Sequence, residues 1–177
     1  HPLFAFTSGG ACLGAKLGPG NVHSADGALV FLLPVVERYR PWFGLLWLRG
    51  DSAFASPDIY EHCEKKRVTY FLRLRANAKL YEEVSSHMAR PVGRPPRSGH
   101  QVKVVDFSYQ SKSWTRPRRV VCKLEWGPNQ LIADMNFIVT NSRLHRTKVV
   151  KVYNGRGDVE NRIKEGKNTL RWDKTSC

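Results

Sequence analysis

Strand-like and helix-like segments alternate along the first ninety residues, then give way to three consecutive strand-like segments between residues 102 and 140 with no helix between them. That order confines the chain to an α/β architecture, in which helices cover a sheet whose strands are not all contiguous in sequence. The chain opens with apolar stretches at 3–7 and 12–17 around Ser8-Gly9-Gly10, a hairpin connection in which glycine supplies positive φ. Pro19-Gly20-Asn21 breaks the second strand, and Ser24 is an N-cap for a helix reaching Arg40, with Leu29, Leu32, Leu33 and Val36 on one face and Pro41 as its stop. Residues 43–48 read as an apolar strand buried on both faces that stops abruptly at Arg49-Gly50-Asp51-Ser52.

The pattern continues with a helix over 56–66 that has Ser56 as N-cap and Pro57 in its first turn, a strand over 68–74, and a helix over 77–87. A Pro- and Arg-rich break covers 91–99. Strands are expected at 102–109, 118–126 and 131–140, and a helix over 148–165 that Gly155 and Gly157 weaken. These segments suggest a first part at 1–95, an inserted β-rich subdomain at 96–140 and a helical return at 141–177.

Charge narrows the function. Lys and Arg number 29 against 15 Asp and Glu, a formal +14 that favours a polyanionic partner. Nucleic acid fits better than an anionic membrane, because the basic residues are scattered instead of lining one amphipathic helix. The longest apolar run, 28–36, contains Pro34 and is too short to span a bilayer. Cys12, Cys63, Cys122 and Cys177 form no CxxC pair, which argues against a zinc site or a disulfide framework and fits a reducing cytoplasm. The start at His1, with no basic and apolar leader, reads as a piece of a longer chain.

One local pattern carries chemistry. Tyr153, Arg156, Glu160 and Lys167 fall within an arc of roughly 60° on an α-helix, so one face would present a phenol, a guanidinium, a carboxylate and an ammonium. Glu160 suits a hard divalent ion, while Arg156 and Lys167 suit phosphates. The alternative is a solvated face with pairs such as Glu160 and Lys164. Asp51, an acid at the tip of an apolar strand, is a second candidate. The 113–119 segment adds Trp114 and the cluster Arg116, Arg118 and Arg119: the indole either stacks on a base or packs under a hairpin turn, and the arginines suit a DNA backbone.

The segment from Tyr153 to Lys167 resembles the Y-R-E-K signature of bacterial insertion-sequence transposases. His1-Pro-Leu-Phe, Gly20-Asn-Val-His-Ser-Ala-Asp-Gly27, Arg49-Gly-Asp-Ser-Ala-Phe54, Ser113-Trp-Thr-Arg-Pro-Arg-Arg-Val-Val121 and Asp173-Lys-Thr-Ser-Cys177 resemble the group 1 DDE transposase domain in the same order. The resemblance implies a ribonuclease H-like mixed sheet flanked by helices, with Asp51 as the second catalytic aspartate, Glu160 as the glutamate, and a two-ion Mg²⁺ or Mn²⁺ site. It implies contacts to DNA from Tyr153, Arg156, Lys164, Lys167, Trp114, Arg116, Arg118 and Arg119. The partners would be duplex DNA at the element ends and the target, with a homodimer for the full-length protein and a location at the nucleoid. The family's first aspartate lies on a strand upstream of the segment that begins here with His1. Asp26 reads as a helix cap instead of a ligand, and His23 as structural or DNA-facing. The chain is accordingly expected to be incomplete at its N-terminus, inactive alone, and to expose a sheet edge. A non-enzymatic basic nucleic-acid-binding module is the alternative.

Overall fold

The computed structural model describes residues 2–18, 27–93, 99–128 and 130–155. Ser24, Asp26 and His23 lie outside them, as do Arg156, Glu160, Lys164 and Lys167. The described residues fall into two compact units, one reaching Gly44 and the other spanning Leu45–Tyr153.

The first unit holds the expected hairpin, β1 (Pro2–Phe6) and β2 (Cys12–Leu17), paired antiparallel with a register shift between Ala5 and Phe6. Its turn closes through Gly10, at φ 90°, whose N–H donates to the Thr7 carbonyl at 3.0 Å, while the Thr7 hydroxyl accepts from Ala11 N–H at 3.0 Å. Helix α1 (Ala28–Tyr39) packs on the hairpin, with the Phe31 ring over Gly14, where a Cβ would approach it to 3.3 Å.

The second unit is built on a five-stranded mixed sheet. Its strands are β3 (Trp47–Gly50), β4 (Thr69–Leu74), β5 (Gln101–Tyr109), β6 (Arg118–Trp126) and β7 (Asp134–Thr140), in the order β3-β4-β7-β6-β5. Only β3 and β4 are parallel; the other neighbours run antiparallel. Helices α2 (Pro57–Lys65) and α3 (Ala78–Val84) cover one face, and α4 (Arg146–Asn154) the other. The period-2 alternation of the strands decides which side chain meets which helix. Tyr70 stacks on Tyr60 of α2 with ring centroids 5.3 Å apart, and Phe137 meets Tyr81 of α3 at 6.1 Å. Phe71, Val121 and Ile138 point the opposite way and form a core with Val149 and Val150 of α4. Asn77 caps α3, its side-chain oxygen accepting from Leu80 N–H at 3.0 Å.

The mixed α/β sheet flanked by helices is the fold class the sequence implies. The three strands of the 96–140 segment belong to the same sheet as β3 and β4: β7 pairs with β4 from Phe71↔Thr140 to Leu74↔Phe137. The physical reason lies in β6, where Val120, Val121 and Cys122 are all fully buried, a pattern that demands cover on both faces. One expectation needs correction: the apolar strand near residue 48 is not buried on both faces, since among the described residues it pairs with β4 alone and Trp47 is 46 % exposed. Periodicity alone does not separate such a half-exposed strand from an interior one.

Candidate functional site

Gly50 ends β3 against the Leu72 side chain; a Cβ there would stand 2.8 Å from Leu72 Cδ2, so a larger residue would have to displace that side chain. Asp51 follows in extended conformation, and its Oδ1 accepts from Ala53 N–H at 2.9 Å to start a short 3₁₀ turn at Ser52–Phe54. The carboxylate is thereby fixed at the C-terminal edge of the two parallel strands, where α/β sheets place ligands. A cleft of about 230 Å³ opens beside it, lined by Ser52, Arg73, Arg75, Met135 and Phe137 among others. Arg73 and Arg75 are exposed, and no ion pair engages either among the described residues. Sequence reasoning passed over both. The signal available was the Arg73-Leu74-Arg75 alternation at the end of an apolar strand, which puts two guanidinium groups on one face and edge.

Helix α4 brings the start of the Y-R-E-K segment to the same strand. Val149 and Val150 seat it on Phe71, Val121 and Ile138, with Val152 and Tyr153 packed against that core. The Arg49 guanidinium donates to the Val152 carbonyl at 3.1 Å, a contact between residues 103 apart in sequence. Arg49 stands two residues before Asp51, and Val152 directly precedes Tyr153. Arg49 thus lies on the face of β3 that α4 covers, and Asp51 follows directly after the strand. Arg156, Glu160, Lys164 and Lys167, expected to continue this face, lie outside the described residues.

The 113–119 cluster sits at the other end of the sheet, where β4 and β6 begin. Trp114 is 6 % exposed and meets Tyr60 and Tyr109 edge-on, with ring centroids 5.3 and 5.4 Å away. Of the two readings open for the indole, packing under the hairpin matches this burial; the face a base would stack on is occupied. Arg118, expected at a DNA surface, is 4 % exposed and lies over the Tyr60 and Trp114 rings. Its Nε and Nη2 donate to the two Glu64 oxygens at 2.9 and 3.1 Å, a bidentate pair. Arg116 reaches the same carboxylate at 2.6 Å but leaves most of its side chain in solvent. Arg119 binds Asp106 at 2.7 Å and donates to the carbonyls of Ser142 and Leu144 at 2.8 and 2.7 Å, tying the segment before α4 to the sheet.

These contacts tune the acids. Burial pushes the Glu64 carboxyl up, but hydrogen bonds from Arg118, Arg116 and Tyr70 outweigh it and leave the group below its ordinary value. Burial likewise opposes, and Arg119 and Arg146 overcome, the shift at Asp106, which also ends lowered. Tyr70 is raised by burial and by the Glu64 charge that its hydroxyl faces at 2.9 Å.

A metal ion needs converging donors. Among the described residues no group of three or more His, Cys, Asp or Glu is arranged to hold one. Asp51 supplies one hard oxygen donor of the kind Mg²⁺ takes, and it fits as part of such a set. No helix among the described residues is long and apolar enough to cross a membrane. No curated protein shows a significant match to the chain. The family model described as transposase DDE domain group 1 matches residues 1–177, so a strand-tip aspartate joined through Arg49 to the approach of a Y-R-E-K segment occurs in a chain that belongs to this transposase family.

Proposed function

We propose that this chain carries the DNA-cutting and DNA-joining centre of an insertion-sequence transposase, with Asp51 and Glu160 as carboxylate ligands of a two-ion Mg²⁺ or Mn²⁺ site. DDE transposases act on DNA by nuclease and transferase chemistry and generally use divalent metal ions. The observation that carries the assignment to these two residues is the Arg49–Val152 contact. It fastens the strand of Asp51 to the helix that leads into Tyr153, so two segments a hundred residues apart approach one edge of the sheet. In this reading the 3₁₀ turn holds the Asp51 carboxylate in place before substrate arrives, which lowers the reorganisation needed at the reacting phosphate. Arg73 and Arg75 neutralise backbone phosphates beside the scissile one, and Tyr153, Arg156, Lys164 and Lys167 grip the strand from the helical side. Arg116, exposed at the other end, is available to a phosphate, while Arg119 acts by holding the sheet and the segment before α4 together. When bound, a pair of divalent ions activates the attacking oxygen and stabilises the leaving one. Duplex DNA at the element ends and target is the substrate, and a homodimer at the nucleoid is the working assembly.

Direct metal binding tests this. Mn²⁺ titration of the full chain, followed by electron paramagnetic resonance, should show Asp51→Asn and Glu160→Gln each weakening binding by about tenfold or more, or roughly 1.4 kcal/mol. Binding indifferent to both substitutions would sink the assignment. The +14 charge would then favour a basic nucleic-acid-binding module with no chemistry of its own.

A further inference from the structure

The end of the sheet remote from Asp51 holds a charge imbalance that strand cutting leaves unused. There β4 and β6 begin and β7 ends, so the segments 65–67, 110–117 and 141–145 come to one rim. Each acid at this rim is engaged. Glu61 accepts from the Thr115 hydroxyl at 2.8 Å, Glu64 holds Arg116 and Arg118, and Asp106 holds Arg119 and Arg146. Lys65, Arg67, Lys112, Arg143 and Lys148 are exposed, with no acidic partner among the described residues. Helix α4 starts at the same rim, and its first turn contains no acid to offset its positive dipole end.

Arg67 has a left-handed φ of 55° and is the one non-glycine residue with positive φ among those described. The conformation closes the C-terminus of α2, where Val68 N–H donates to the Cys63 carbonyl at 2.8 Å, and it leaves a guanidinium exposed at the rim in a position that glycine would take without strain.

We propose that this rim is a second contact surface for duplex DNA, gripping a segment distinct from the one that reacts at Asp51. The choice of DNA over other polyanions rests on the transposase reading. The six residues of β4 separate the two ends by about 20 Å, so a phosphate held at one cannot be held at the other. The rim offers mobile lysines and single guanidinium groups instead of an apolar pocket, which suits backbone contact without base readout.

The test compares the full chain with the triple variant Arg67→Gly, Lys112→Ala, Arg143→Ala, measuring affinity for a duplex of arbitrary sequence across a salt series. The slope of log affinity against log salt should shrink by roughly 2 to 3. Tm should stay level or rise, because Arg67→Gly removes a strained side chain, and Mn²⁺ affinity should not change. An unchanged slope in the folded variant would overturn the proposal. So would intact duplex binding accompanied by loss of binding to anionic phospholipid vesicles. A reduced slope in a chain whose Mn²⁺ binding ignores Asp51 would leave the rim standing and remove only the cutting site.

Discussion

Replacing Glu64 with alanine should cost about 3 to 5 kcal/mol of stability, because it strands a buried guanidinium without its counter-ion. The Arg118 side chain is 2 % exposed and that of Glu64 13 %. Arg118 lies over the rings of Tyr60 and Trp114, and Glu64 accepts from both its Nε and its Nη2. In a chain of this size such a loss should lower Tm by on the order of 10 °C, readable by circular dichroism. The double variant Glu64→Ala, Arg118→Met should recover much of it, since an apolar replacement of a buried pair is often neutral or better. If the double variant is no more stable than the single one, the cost lies in packing and not in the stranded charge.

The same pair sets an acid dependence. Because the Glu64 carboxyl is lowered in the folded chain, its contribution is fully present above the ordinary carboxylate range near pH 4.3 and is lost as pH falls through the folded-state value. Asp106 acts in the same direction. Stability measured by urea unfolding should therefore fall as pH drops below about 4, and Glu64→Gln should flatten that fall.

Phe71→Ala should produce a loss of similar size, about 3 to 5 kcal/mol, by opening a cavity at the junction of three elements. The ring is fully buried, sits among Val121, Ile138, Val149 and Val150, and meets Trp47 edge-on with ring centroids 5.5 Å apart. It supports α4 from below and β3 from the side. Phe71→Leu, which keeps most of the volume, should cost less than half as much. If the proposed metal site is correct, Phe71→Ala should also weaken Mn²⁺ binding in protein that is still folded, since it loosens the strand of Asp51 against the helix approaching Tyr153. A folded Phe71→Ala chain with undiminished Mn²⁺ affinity would separate core stability from site geometry.

Much of the architecture was legible because its signals are local. The Ser8-Gly9-Gly10 turn and the apolar run within residues 118–126 each act within a few residues of themselves. What the sequence concealed was pairing between distant strands. Residues 102–140 look self-contained because three strands follow one another, yet the bond row from Phe71 to Leu74 joins them to β4, and nothing in the periodicity of either segment names that partner. The candidate site divides in the same way. Asp51 stood out as an acid ending an apolar strand, while Arg73 and Arg75 carried no motif and gain their place only because the fold sets Ser52 beside them. The surroundings of Arg118 were hidden for a related reason: Glu64, fifty-four residues earlier, supplies the charge that lets its guanidinium turn inward over the Trp114 ring.

Helix α4 is moored at both extremities. Arg119 ties the segment just before it to the sheet through the carbonyls of Ser142 and Leu144, and Arg49 holds the carbonyl of Val152 near its far end. A rod pinned twice cannot creep along its own axis without breaking one of the pins. Tension on a DNA strand held, as proposed, near Tyr153 would then pass into the five-stranded sheet instead of being absorbed by slippage of the helix.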